Sequence, residues 1–173
     1  MIITDSVSKQ LSVVQDPATR QALQGILADL ADRFSSFMQT TAGLVIKAGA
    51  SPLVKTGGAI SYLFAGGIPR TIAAGVDMAA LAGTTLTATF NVYVYMVNGS
   101  GALSSAMGTG AATYAAVKFP TVPDGRTVVG YTIINPTGTG SFVGGTTAID
   151  DATVVPNAVH ISVVGLFDPT IRP

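Results

Sequence analysis

The chain has 173 residues, enough for one domain with a real core, and it contains no cysteine, which excludes a disulfide framework, a thiolate metal site and a cysteine nucleophile. Only 10% of the residues are charged, nine Lys plus Arg against nine acids that are all Asp, where ordinary soluble domains carry about 25%. The basic residues are scattered singly rather than clustered, so no nucleic-acid partner is expected.

The start, MIITDSVSKQ, has neither the basic residues nor the apolar run of a signal peptide, which predicts a protein used as made, in the cytoplasm. Residues 4–39 read as helix. Val7, Leu11, Val14 and Ala18 step by four, three and four. Asp16-Pro17 then resets the phase, Asp16 suiting the N-cap and Pro17 the first helical position, where a missing N–H costs nothing. Leu23, Leu27, Leu30, Phe34 and Phe37 step by four, three, four and three. The spacing predicts a short helix, a break, and a longer helix from about Pro17 to Gln39. Asp5, Lys9, Asp16, Arg20, Asp29, Asp32 and Arg33 supply a polar face opposite this seam. The seam packs either on the protein's own sheet or against the same helix of neighbouring copies, since it matches the coiled-coil repeat. Gly25 costs the helix about 1 kcal/mol and permits close helix approach.

From Gly43 the pattern changes. Leu44-Val45-Ile46, the run 60–64 and the run 68–73 are separated by Gly49-Ala50-Ser51-Pro52, Gly57-Gly58 and Gly66-Gly67, spacing that suits strands joined by tight turns. Residues 76–81 read as a helical turn or a loop, with Asp77 as cap. Residues 84–97 then alternate with a period of two: Leu86, Ala88, Phe90, Val92, Val94 and Met96 on one face, Thr85, Thr87, Thr89, Asn91, Tyr93 and Tyr95 on the other. This is the long strand of the chain, and Asn98-Gly99-Ser100-Gly101 turns it into its return. The apolar window 78–97 is interrupted by four threonines, an asparagine and a glycine, short of the about 18 uninterrupted apolar residues of a membrane span. No membrane partner is expected. Between residues 78 and 117 there is no Asp, Glu, Lys, Arg or His, so this centre reads as scaffold or contact surface.

Residues 111–119 are ambiguous between strand and helix. Pro120 to Gly125 is a turn that launches 126–134, a strand apolar on both faces, as in a sandwich or barrel interior or a sheet whose outer face meets another subunit. Asn135 to Gly140 turns again, Ser141-Phe142-Val143 is short, and 158–164 forms a last strand. The fold class expected is α+β: an N-terminal helical oligomerisation or anchoring segment over 1–42, then a β-rich domain over 43–173, an antiparallel β-sandwich or barrel-like unit.

Candidate chemistry is sparse. His160, the only histidine, lies between Val159 and Ile161 on a strand, where a structural role outweighs a catalytic one. No G-x-S-x-G elbow is present. Asp150-Asp151, joined by Asp124 or Asp168, has the chemistry of a Ca²⁺ site but not EF-hand spacing, and reads as a turn with solvated acids. The glycine pairs lack any phosphate-loop pattern. Asn98-Gly99-Ser100 fits a glycosylation sequon without a secretory signal. No catalytic, cofactor or metal residue is assigned, and no cofactor is expected.

Phe90-Asn91-Val92-Tyr93-Val94-Tyr95, Met107-Gly108-Thr109, Phe119-Pro120 to Pro123-Asp124-Gly125, Val129 to Phe142, and Gly144-Gly145-Thr146-Thr147-Ala148-Ile149-Asp150-Asp151, in that order over roughly residues 75–163, resemble a segment recurring in virion structural proteins of tailed bacteriophages. The resemblance is to head decoration, cement or head-fibre proteins. It implies a non-enzymatic component of the virion, a homotrimer that binds the phage major capsid protein in the assembled head and stabilises it. The alternative is a tail-fibre or receptor-binding protein, with Tyr93, Tyr95 and Tyr131 contacting host polysaccharide. The N-terminal helices lie outside the matched portion.

Overall fold

The computed structural model describes residues 16–64, 67–135, 139–156 and 158–167. Its first element is α1 (Pro17–Ser35), with Asp16 as N-cap and Pro17 in the first turn. The Asp16 carboxylate accepts the Thr19 hydroxyl and, at 3.0 Å, the Thr19 amide. These bonds favour its charged form and hold its pKa below the ordinary value. The expected short helix before it, with Val7, Leu11 and Val14, lies outside the described residues. The helix stops short of Gln39, because Phe37–Met38 form β1. Met38 is fully buried and pairs with Tyr62 of β4 (Ile60–Phe64); core burial at Met38 overrides the helical spacing that Phe37 continues.

The rest is antiparallel β. β4 lies between β1 and β5 (Ile68–Ile72), and β2 (Val45–Ile46) pairs with β3 (Val54–Lys55). β6 (Thr84–Thr85) pairs with β10 (Phe142–Val143). The central sheet is β11-β9-β7-β8, from β7 (Asn91–Asn98), β8 (Leu103–Met107), β9 (Arg126–Ile134) and β11 (Val159–Ser162). The arrangement, several antiparallel sheets with one helix among the described residues, is compatible with an α+β fold or a β-sandwich.

The long strand read over 84–97 is two strands with a break between them. The Thr89 amide donates to the Leu86 carbonyl at 3.1 Å and Ala88 takes φ +57°, a left-handed backbone that L-residues rarely adopt. Alternation alone does not disclose such a turn, because Leu86 and Ala88 remain in phase with Phe90. Leu86 is consequently 65% exposed rather than packed with Val92. Residues 76–81 form no helical turn: Asp77 bridges to Lys55 in extended backbone, and its carboxylate meets the Lys47 ammonium at 2.5 Å. Residues 111–119 resolve into a single 3₁₀ turn (Tyr114–Ala116) flanked by bridges from Ala111 to Phe90 and from Lys118 to Thr109.

Within β7 the alternation is kept, and both faces are buried by this chain. Tyr93, Tyr95 and Val97 join Met38, Val54, Ile60, Tyr62, Ile134, Phe142 and Ile149 in one core. Val92, Val94 and Met96 join Val117, Val128 and Val163 in a second, roofed by Phe119, Val122, Tyr131 and Phe167. The two-sided apolar pattern of β7 and β9 is thus satisfied internally, by loops that sequence periodicity cannot place, and needs no second subunit over the sheet.

Candidate functional site

The inner face of the central sheet carries a buried polar chain. Burial pushes the Tyr95 phenol well above its ordinary pKa, the Thr132 hydrogen bond opposing. Its hydroxyl lies 3.1 Å from Thr132 Oγ1, which lies 2.8 Å from His160 Nδ1. Tyr93, raised by burial in the same way, shares a hydrogen bond of 3.0 Å with Thr85, and Tyr62 donates to the Asn98 carbonyl at 3.1 Å. Each tyrosine thus ties the tip of one strand to another while filling the core. Removing the hydroxyl by Tyr95→Phe leaves Thr132 bonded to His160 and the ring in place, so the expected loss is about 1 kcal/mol, a fall of about 2–4 °C in melting temperature measurable by calorimetry.

This arrangement decides the part of two tyrosines in a glycan-contact role. Tyr93 and Tyr95 are each 0% exposed and offer no ring to a sugar. Tyr131 is half-buried, stacked on Phe167 with centroids 5.7 Å apart and edge-on to Phe119 at 5.2 Å; its ring roofs the second core.

His160 is placed as a strand residue, bonded through Nδ1, and its buried Nε2 has no hydrogen-bond partner. The acids sequence reading singled out act as backbone caps. Asp150 accepts the Ala50 amide at 3.0 Å, and Asp151 accepts the amides of Thr153 and Val154 at 2.8 and 3.2 Å. These bonds point the two carboxylates at separate loops. Asp124 lies in the turn before β9, and Asp168 is outside the described residues. Among the described residues no three His, Cys, Asp or Glu side chains converge as a metal site. Asn98 Oδ1 is engaged by the Ser100 amide, the Ser100 hydroxyl and the Ala102 amide at 3.0, 2.7 and 2.9 Å, so the sequon asparagine is the cap of the β7–β8 hairpin.

What the molecule does present is apolar surface. On α1, Ile26, Leu30 and Phe34 are 62%, 46% and 61% exposed, and the helix meets the β part chiefly at β4. Of the seam itself, Leu30 and Phe34 face solvent, while Leu23 and Leu27 are half-buried. A second patch gathers around Gly83: Val143 lies opposite Thr84 in the β6–β10 ladder, the Met107 sulfur sits 2.7 Å from where a Cβ on Gly83 would stand, and Leu86 follows in the strained turn. Sequence reading missed this patch, because it assigned Leu86 to the core face of a continuous strand. No helix among the described residues is long and apolar enough to cross a membrane.

No protein-family model, curated protein or solved structure matches the chain. Its own surface carries the functional reading.

Proposed function

We propose that this chain is a virion structural protein of a tailed bacteriophage, a head decoration, cement or head-fibre protein that acts as a homotrimer on the outside of the assembled head and has no catalytic role. The observation that carries the reading is the exposed apolar strip of α1, borne on a chain with only 10% charged residues. Apolar side chains exposed one helical turn apart, as Ile26, Leu30 and Phe34 are, are covered when identical helices pack over them, and closed rotational symmetry covers every copy at once. The resemblance read over residues 75–163 implies the partner of this proposal: the major capsid protein in its assembled form. A protein that binds the assembled shell and not its free subunits stabilises the shell by mass action, about 2.7 kcal/mol per site at a free concentration one hundred times Kd. On this reading the β domain is a rigid body carrying the contact surfaces, with both sheet faces already closed.

The test is direct. Purified protein mixed with expanded, undecorated heads is expected to co-sediment with them and to raise their melting temperature in a saturable manner. Heads that melt unchanged at saturating protein overturn the proposal, and binding to intact host cells instead places the protein on the tail.

A further inference from the structure

His160 is the single histidine of a chain whose nine acids are all Asp. The ordinary pKa of an aspartate carboxyl is about 3.9 and that of histidine about 6.5. Between about pH 5 and 7 His160 is therefore the one side-chain type in this protein whose charge changes.

Its position makes that change matter mechanically. β11 is an edge strand of the central sheet, bonded on one side to β9. Beyond it the chain is held by the Val163 amide on the Val129 carbonyl at 3.0 Å and the Gly165 amide on the Met38 carbonyl at 2.7 Å, and by Phe167 on Tyr131 and Phe119. His160 lies opposite Thr132, and Thr132 opposite Tyr93. Its Nδ1 shares a hydrogen bond with Thr132, while Nε2 is buried without an acceptor. From β9 the imidazole faces Thr132, and from β7 it faces Tyr93 and Tyr95. Among the ionisable side chains of β1 and β4, which pack over this face, there is Tyr62, itself under the influence of Arg70 on β5. The charged residue on these strands is Arg126 at the far end of β9, engaged with Ser104. None of these strands bears a carboxylate to balance an imidazolium.

We propose that His160 is an acid-sensitive latch: neutral, it holds β11 to the sheet, and when protonated it releases β11 and residues 163–167 while β7, β8 and β9 stay paired. The imidazolium carries an N–H on both ring nitrogens, and the one at Nε2 has no acceptor among the described residues. Its charge lies on a half-buried strand face whose strands bear no carboxylate, Asp150 and Asp151 of the preceding loop being engaged by the amides of Ala50, Thr153 and Val154, and such burial is costly. Opening the edge strand returns the ring to water, and strands at a sheet edge open locally at lower free energy than the centre. The desolvated ring binds its proton less readily in the closed state than the ordinary value of 6.5 allows. The open state therefore holds more protons below that value. The closed state is fully favoured above pH 6.5 and loses its advantage as pH falls toward the depressed closed-state value. Release also uncovers the bonding edge of β9, a template for pairing with another strand.

Hydrogen exchange followed by NMR on the full chain tests the latch. Corrected for intrinsic exchange, the opening constant of the β11 amides and of Val163 and Gly165 is expected to rise by up to about tenfold per pH unit below 6.5, with β7 and β8 amides unchanged. In His160→Gln the β11 opening constant is expected to be flat with pH. Equal pH dependence in the wild type and the variant overturns the latch, as does β7 opening in step with β11. Should the variant fail to fold, the wild-type His160 Cε1 proton decides alone: a titration midpoint below 6.5 supports the latch, and one at or above it refutes it.

Discussion

Gly130→Ala is expected to destabilise the protein by about 3 kcal/mol, lowering the melting temperature by roughly 6–12 °C for a chain of this size. Gly130 sits in β9 between β7 and β11, opposite Tyr95 on one side and Ser162 on the other. A Cβ there would stand 2.4 Å from the Ile161 carbonyl oxygen, 2.6 Å from Leu44 Cδ1 and 3.1 Å from Ser162 Cα. Two of those neighbours are backbone and cannot rotate aside, so β11 must shift away from β9 or β9 must twist. The ladder has little room for either, because its register with β7 already slips at Tyr95/Met96, where Gly130 and Val128 are the successive partners. Such a bulge kinks one strand and sharpens the local twist. Gly58→Ala is the matched control: a Cβ at Gly58 meets nothing within 4 Å. Differential scanning calorimetry of the two variants separates a steric effect at Gly130 from a general intolerance of substitution, and equal melting temperatures would show that the β9–β11 spacing is relaxed.

The second large effect is on assembly. Changing Leu27 and Phe34 together to Ser is expected to convert the proposed trimer to a monomer of 17.5 kDa at micromolar concentration, as read by analytical ultracentrifugation, with the β-sheet signal in circular dichroism unchanged. Phe34 is 61% exposed, Leu27 is half-buried, and neither residue belongs to the two buried cores, so both cores keep their packing. A seam of identical helices, in contrast, loses two apolar layers per chain and gains unpaired hydroxyls in their place. Persistence of the trimer in the double variant would assign self-association to the β domain, the patch around Gly83 being the surface to change next. Loss of the β-sheet signal along with the trimer would show that folding and association are one step.

Local pattern carried much of the fold. The Asp16-Pro17 start of α1, β4, the β7–β8 hairpin at Asn98, β9 and β11 follow from capping chemistry, period-two alternation and turn residues, each decided within a few positions of chain. The errors share one cause. Phe37 continues a helical seam, and Leu86 and Ala88 continue a strand alternation, yet Met38 is drawn into the core beside Tyr62 and Ala88 adopts φ +57°. Periodicity records which residues are apolar, and the partner that buries them is elsewhere in the chain.

The candidate surfaces divide in the same way. The apolar spacing of α1, the single histidine, the absence of cysteine and the low charge are properties of the sequence itself. That β7 and β9 are covered on both faces by this chain, that Tyr93 and Tyr95 are core tyrosines rather than sugar platforms, and that His160 ends a buried hydroxyl chain were decided only by tertiary structure. The physical reason is that side-chain chemistry and local backbone preference are short-range and written residue by residue, whereas burial is set by segments such as 117–122 and 163–167 that meet the sheet from far along the chain.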